Sequence, residues 1–547
     1  MTAAIYYSSN GFRVEKNKIM GRQVAGNSFL KAYLKYSNDH EFWIHSTSLQ
    51  DADDFIQFAR SEGRKENIKV IDLNNIGALR EPGILFYPGP DIAIQAKNRS
   101  FFKDSLWSIC GITHTTSSAK IMESIQSLIT SPVTSRDAII CTSKAVQSNL
   151  LKIIENEEEN LRQNLNASNF VRPQLPVIPL GVHSHEFDFT NTQKNIARED
   201  FGIKKDEIVI LYVGRLSFHA KANPFQMYKS LNLVAQKSNK KLVLIECGWF
   251  GNKGIQEAFI QASNSLCTSI KIIRVDGRNN DIKLKSFAAA DIFCSLSDNI
   301  QETFGITPIE AMAAGLPVIV SDWDGYRDSI QEGKEGFLIP TLMPEAGFGI
   351  DLAYRYALNI DNYDMYIGNI SNFISVDFNS LSKAFEKLIN NQQLRLDMGI
   401  NGKKKVEGEF DWSNIIIKYK ELWDELKLNT LNSKDINYKW SARLDPFFAF
   451  SAYSTNKISD QSKVKLVDKN IDSSFKMFNR IKELDIINYS KYTLPEKSFI
   501  QEIITYIGED IKSIRQLEND LKSTNQVYLF RSLMWLIKFN ILEIYSD

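Results

Sequence analysis

One pattern occurs twice in this chain and limits its folds more than any other feature: short apolar runs alternate with amphipathic helical stretches. In the first third AAIYYS, EFWIHS, IKVIDL and ILFYPG read as strands, with helices around SFLKAYLKY and DADDFIQFARSEG; later DAIICTSKAVQSNLLKIIE reads as a strand feeding a helix capped by Ser143. Such alternation demands a parallel sheet with helices on both faces. Pro173, Pro176 and Pro179 then fall within seven residues, which excludes a helix and predicts an extended linker. From residue 207 the alternation restarts with EIVILYVGRL, KLVLIECG, SIKIIRVDG, DIFCSLS and LPVIVSD. Two open α/β sheets on one linker make a cleft, and ligands of such sheets bind beyond the carboxyl ends of the strands.

This reading predicts an N-terminal Rossmann-like domain over 1–175 and a second over 176–430. Residues 341–376 break the pattern with mixed polar and aromatic sequence and read as an insertion. After residue 437 the character changes again: SFIQEIITYIGEDIKSIRQLE places Phe499, Ile500, Ile503, Ile504 and Ile507 on one helical face, so 437–547 is expected to be a helical extension. Its final stretch, VYLFRSLMWLIKFNIL, leaves open a binding or regulatory role for the tail, although its near-balanced charge argues against DNA.

Composition narrows the function. Lys plus Arg and Asp plus Glu both total 65 of 547 residues, which argues against a broad electrostatic hold on nucleic acid or anionic lipid and leaves any anion site local. Five cysteines, Cys110, Cys141, Cys247, Cys267 and Cys294, lie in apolar settings without CxxC pairing, as buried thiols in a reducing compartment do. With no secretory-type leader and no 18-residue apolar run, a cytoplasmic location is expected. QAKNRSFFKDSLW mixes Lys97, Arg99 and Lys103 with Phe101, Phe102 and Trp107, which keeps peripheral contact with the inner face of a membrane open as a second expectation beside core packing.

The most specific segment is QETFGITPIEAMAAGLPVIVSDWDG. Thr307 as N-cap, Pro308 as first helical residue and Glu310 as third would form a capping box. The same geometry sets a helix N-terminus beside Phe304 and Gly305, where a backbone can approach a phosphate. Glu302 and Glu310 at its rim can accept hydrogen bonds from vicinal hydroxyls. In VILYVGRLSFHAKANP a strand ends at Gly214 and Arg215 and Lys221 follow, two cations suited to a pyrophosphate. CGITHTTSS puts His114 at a strand end, and MGRQVAGNSFLKAY has Gly21 and Gly26 before a helix, where small residues would let the first domain close on ligands. DWDG at 322–325 has the form of a metal-binding Asp-x-Asp, but Arg215 and Lys221 already meet the charge of a diphosphate, and no His/Cys cluster has metal-site spacing.

These residues resemble glycosyltransferase family 4, of the GT-B fold: the paired glutamates of ETFGITPIEAMAAGLPVIVSD, the GRL…K turn and IPLGV before the second domain all fit, over roughly 1–430. The resemblance implies two facing Rossmann-like domains and sugar transfer from a nucleotide donor with retention of configuration, without metal or other cofactor. It implies that Arg215 and Lys221 hold the donor diphosphate, that Glu302 contacts the sugar hydroxyls and Glu310 the ribose, and that His114 lies near the reacting carbon. The sequence does not choose the acceptor among a glycan, a lipid-linked sugar and a small molecule. Three departures stand out: one extra residue between Arg215 and Lys221, His183 where an Asp is common, and the 341–376 insertion. A nucleotide-sugar epimerase, which uses the same fold, is the alternative enzyme.

Overall fold

The computed structural model describes residues 3–13, 21–102, 107–431, 438, 440–521 and 525–545. Its chain divides into two units, 1–440 and 441–547.

The first unit holds two six-stranded sheets. In the first, β1 (Ala4–Tyr7), β2 (Glu41–Ser46), β3 (Asn67–Ile71), β4 (Ile84–Phe86), β5 (Ser108–Ile112) and β6 (Ala138–Ile140) lie in the order β3-β2-β1-β4-β5-β6. In the second, β7 (Glu207–Val213), β8 (Lys241–Gly248), β9 (Lys271–Asp276), β10 (Ile292–Ser295), β11 (Val318–Ser321) and β12 (Gly336–Ile339) lie in the order β12-β11-β10-β7-β8-β9. Every neighbouring pair is parallel. Both orders are the doubly wound one, so each sheet reverses its winding direction once, between β1 and β4 and between β7 and β10.

Continuous apolar runs form these strands because both faces are covered. In β7, Val209, Leu211 and Val213 point into one core and Ile208, Ile210 and Tyr212 into the other, the two-residue period of a pleated strand. The five cysteines are all buried free thiols.

The helix Trp412–Leu431 departs from the expected boundary at 430. Its Trp412, Ile416, Tyr419, Trp423 and Leu426 join the core of the first sheet with Ile5, Phe29 and Phe86. The chain therefore crosses between the sheets twice, and the crossings pair: the Val182 N–H donates to the Phe410 carbonyl at 2.9 Å and the Trp412 N–H to the Val182 carbonyl at 3.1 Å. Gly181 fits there because a Cβ would come within 2.4 Å of the Trp412 ring.

The insertion is a closed excursion. Its ends form an antiparallel pair, β13 (Thr341–Leu342) with β14 (Ser375–Val376), and the helices Ile350–Ala357 and Tyr363–Ser371 lie between. In the second unit the helix Lys497–Ile507 buries Ile500, Ile503, Ile504 and Ile507 as its periodicity predicts. The extension is helical but also carries a three-stranded antiparallel sheet, β15 (Lys463–Leu466) between β16 (Lys512–Ser513) and β17 (Leu542–Tyr545). The helical pattern hid these strands because they are only two to four residues long.

The basic, aromatic stretch 95–107 is corrected most. Arg99 is buried and forks onto both carboxylate oxygens of Asp137 at 2.6 and 2.7 Å, and also donates to the carbonyls of Trp107 and Pro132. Asp137 accepts in addition from the Ile109 and Thr134 N–H groups. Trp107 is core, while Lys103 lies outside the described residues. The lipid-facing reading of this stretch thus loses Arg99, which satisfies a buried network at the β5–β6 edge. Removing one partner of a buried pair strands the other charge, at a cost of about 3–5 kcal/mol. Arg99→Ala is therefore expected to lower the thermal midpoint steeply or prevent folding, whereas Lys97→Ala leaves it within a degree or two; calorimetry of the two variants checks this.

Candidate functional site

The crevice where β7 and β10 part company is where a doubly wound sheet leaves room for a ligand. The turn after β7 carries Gly214, Arg215 and Lys221, and the segment after β10 carries Asn299, Gln301, Glu302 and Gly305. The topology thus unites the two motifs of the sequence: Lys221 Nζ meets Glu302 Oε2 at 3.1 Å, and Arg215 Nη2 donates to Gln301 Oε1 at 2.9 Å.

The helix after β10 spans Ile306–Ala313, with Gly305 as its N-cap in the left-handed region at φ 79°. The expected capping box at Thr307 is absent because the helix starts before it. Glycine is required at 305 on two counts: the positive φ, and a Cβ that would lie 1.8 Å from the Tyr326 ring. The first N–H groups of this helix lack intrahelical acceptors and open beside Gly305.

Glu310 points from this helix into a nearly closed place. Its Oε1 accepts from Lys283 Nζ at 2.6 Å and its Oε2 is buried without a hydrogen-bond partner. A carboxylate with one oxygen satisfied and one free can accept from a ligand hydroxyl. Phe304, expected at the donor, has its ring buried in the second core, so its side chain does not line the crevice. Gly21 and Gly26 are also corrected: they lie inside the helix Gly21–Tyr36 rather than before it. Gly21 is exposed, whereas a Cβ on Gly26 would come within 2.8 Å of the Gly11 carbonyl oxygen, so Gly26 serves close packing. Of the DWDG carboxylates, Asp322 pairs with Arg327 at 2.8 Å and Asp324 turns inward.

The first domain meets this crevice directly. Thr303 Oγ1 donates to the His114 carbonyl at 3.0 Å, and Thr142 Oγ1 donates to the Thr303 carbonyl at 3.3 Å. Ser143 caps the long helix Lys144–Leu165, accepting from the Val146 N–H while donating to Asp324 Oδ1 at 2.9 Å. The Lys144 N–H donates to Asp328 at 2.7 Å. Two acidic residues of the second domain thus sit at the N-terminus of a helix of the first, where Asp328 accepts from a backbone N–H and Asp324 from the cap hydroxyl. The sequence marks Ser143 only as a cap and gives no sign of the Asp324 contact, because the partners are 181 residues apart.

Burial pushes the Asp324 carboxyl up to about 7; the Ser143 hydrogen bond opposes this, and the nearby Glu302 and Asp328 charges add to it. Burial likewise raises Asp298 to about 7 against hydrogen bonds from Ser371 and the Asn223 backbone. Asp324 Oδ2 and Asp298 Oδ1 have no hydrogen-bond partner, as protonated acids tolerate better than ionised ones.

Two facing doubly wound domains with a helix crossing back to the first constitute the GT-B arrangement. Residues 193–346 match the family model described as glycosyl transferases group 1. An uncharacterised glycosyltransferase of Methanocaldococcus jannaschii is 25% identical over 237 residues, covering 42% of this chain and 55% of that protein. The D-inositol 3-phosphate glycosyltransferase of Nocardia farcinica is 24% identical over 193 residues, covering 34% of this chain and 41% of its own. The chain spans about half the length of the curated relatives it matches. Among solved structures, Anabaena HepE in complex with UDP and glucose superposes with a TM-score of 0.50 at 13% identity, over 78% of this chain and all of its own. Among the described residues, no helix is long and apolar enough to cross a membrane.

An acid whose folded pKa is raised favours folding at low pH, and that contribution is lost as pH rises from the ordinary carboxylate range to the folded value. The thermal midpoint is therefore expected to fall between pH 5 and 7.5, and to fall less in Asp324→Asn, whose amide oxygen still accepts from Ser143. Melting curves across that window read the difference; equal slopes in the two proteins would contradict it.

Proposed function

We propose that this chain is a glycosyltransferase that moves a sugar from a nucleoside-diphosphate donor to an acceptor hydroxyl in the building of a glycan or glycolipid, with retention of configuration. The observation that carries the reading is the junction of Arg215 and Lys221 after β7 with Glu302, Gly305 and Glu310 after β10 at one switch point. The match to glycosyl transferases group 1, which includes all five of these residues, supports it.

Breaking the bond between the anomeric carbon and the diphosphate builds negative charge on the leaving oxygens and positive charge on the ring. Preorganised cations and N–H dipoles stabilise that charge most. In this reading Arg215, Lys221 and the helix N-terminus at Gly305 serve the phosphates. Their positive charge can serve the leaving group without a metal ion, so none is assigned to the reaction. Glu302 is free to accept from sugar hydroxyls once the diphosphate draws Lys221 away. Glu310 Oε2 accepts from the ribose, with Lys283 holding the other oxygen. His114, whose backbone is tied to Thr303, contributes at the reacting carbon from the first domain. The acceptor hydroxyl attacks from the face the diphosphate leaves, and its proton passes to the departing phosphate oxygen, so no separate protein base is assigned.

Thermal shift with UDP-, GDP- and ADP-sugars identifies the donor, since a ligand that binds the native state raises its midpoint. Glu302→Ala and Lys221→Ala are each expected to reduce transfer by about 10²-fold or more. Nucleotide release at the wild-type rate from both variants would overturn the assignment. A new nucleotide sugar formed without acceptor would identify an epimerase instead, and the anomeric configuration of the product, read by NMR, tests retention.

A further inference from the structure

The insertion 341–376 reaches the same crevice, and its contacts form a directed chain. Arg215 Nη2 donates to Gln301 Oε1 at 2.9 Å, Gln301 Nε2 donates to Tyr363 Oη at 3.2 Å, and Tyr363 Oη lies 2.9 Å from Ser117 Oγ of the first domain. Since Gln301 fills one acceptor position of the phenol oxygen, the tyrosine proton is free for Ser117 or for Thr115, 3.4 Å away. Tyr363 opens the helix Tyr363–Ser371, which Asn362 caps by accepting from the Met365 N–H. That helix is seated on the Arg215–Lys221 turn: Asn299 Nδ2 donates to the His219 carbonyl at 2.6 Å and approaches the Ile367 carbonyl at 3.5 Å. Gly368 packs so closely that a Cβ would stand 3.0 Å from that of His219. Tyr356, on the other inserted helix, accepts from the Ala119 N–H at 2.9 Å, a second tie to the first domain.

We infer that Tyr363 is a positioning residue: through Gln301 it orients Arg215 at the donor diphosphate, and through Ser117 it makes that orientation depend on approach of the first domain. The inference rests on the donor-binding reading given above. A hydrogen bond that aims a cation at charge developing late in the reaction acts on turnover more than on ground-state binding. Small misplacements of such groups lower rates by one to two powers of ten.

The test is a double-mutant cycle with Tyr363→Phe and Gln301→Ala in the full chain, using the nucleotide sugar that gives the largest thermal shift. Tyr363→Phe is expected to lower kcat about tenfold with donor affinity within about twofold and an unchanged thermal midpoint, and to have no further effect in the Gln301→Ala background. Wild-type turnover of Tyr363→Phe, or effects that multiply in the double variant, would overturn the role of Tyr363 while leaving the donor site intact. If the wild-type protein binds no nucleotide sugar in the panel, the functional reading fails and this role fails with it.

Discussion

Everything at the candidate site depends on the reversal of winding in the second sheet. Connections leaving β7 and β10 run to opposite faces, so the space beyond their carboxyl ends is not covered by either crossover. Arg215, Lys221, Glu302 and Gly305 occupy that space because they lie within a dozen residues of those strand ends. Strands buried on both faces make the frame rigid, and the turns that carry the polar groups are displayed on it.

The first domain meets the segment around the glycine-capped helix through hydrogen bonds. Thr142, Ser143 and the backbone of Lys144 and His114 face Thr303, Asp324 and Asp328. Polar contacts of this kind can be made and broken with little change in buried apolar area. The paired crossings at Val182 and Trp412 are the opposite case, since the Trp412 ring is buried and its helix is built into the first core.

Glu310 and Arg99 illustrate how far burial decides the meaning of a charged residue. Both are charges close to apolar sequence. Arg99 spends both terminal guanidinium nitrogens on Asp137 and two carbonyls and therefore holds structure together. Glu310 is satisfied by Lys283 on one oxygen only, and the unmet oxygen is what suits it to a ligand.

The sequence by itself determined the two sheets and the motifs bearing Arg215, Lys221, Glu302 and Glu310. These rest on local periodicity and on short-range chemistry of glycine, proline and charge, which a linear reading can follow. It missed the start of the helix at Ile306, the burial of Phe304 and Arg99, and the place of Gly26 inside a helix. Only the tertiary structure brought Ser143 to Asp324, Lys283 to Glu310 and Tyr363 to Gln301. Those pairs are 27 to 181 residues apart, and no periodicity encodes which side chains meet once two separate sheets and an insertion have packed.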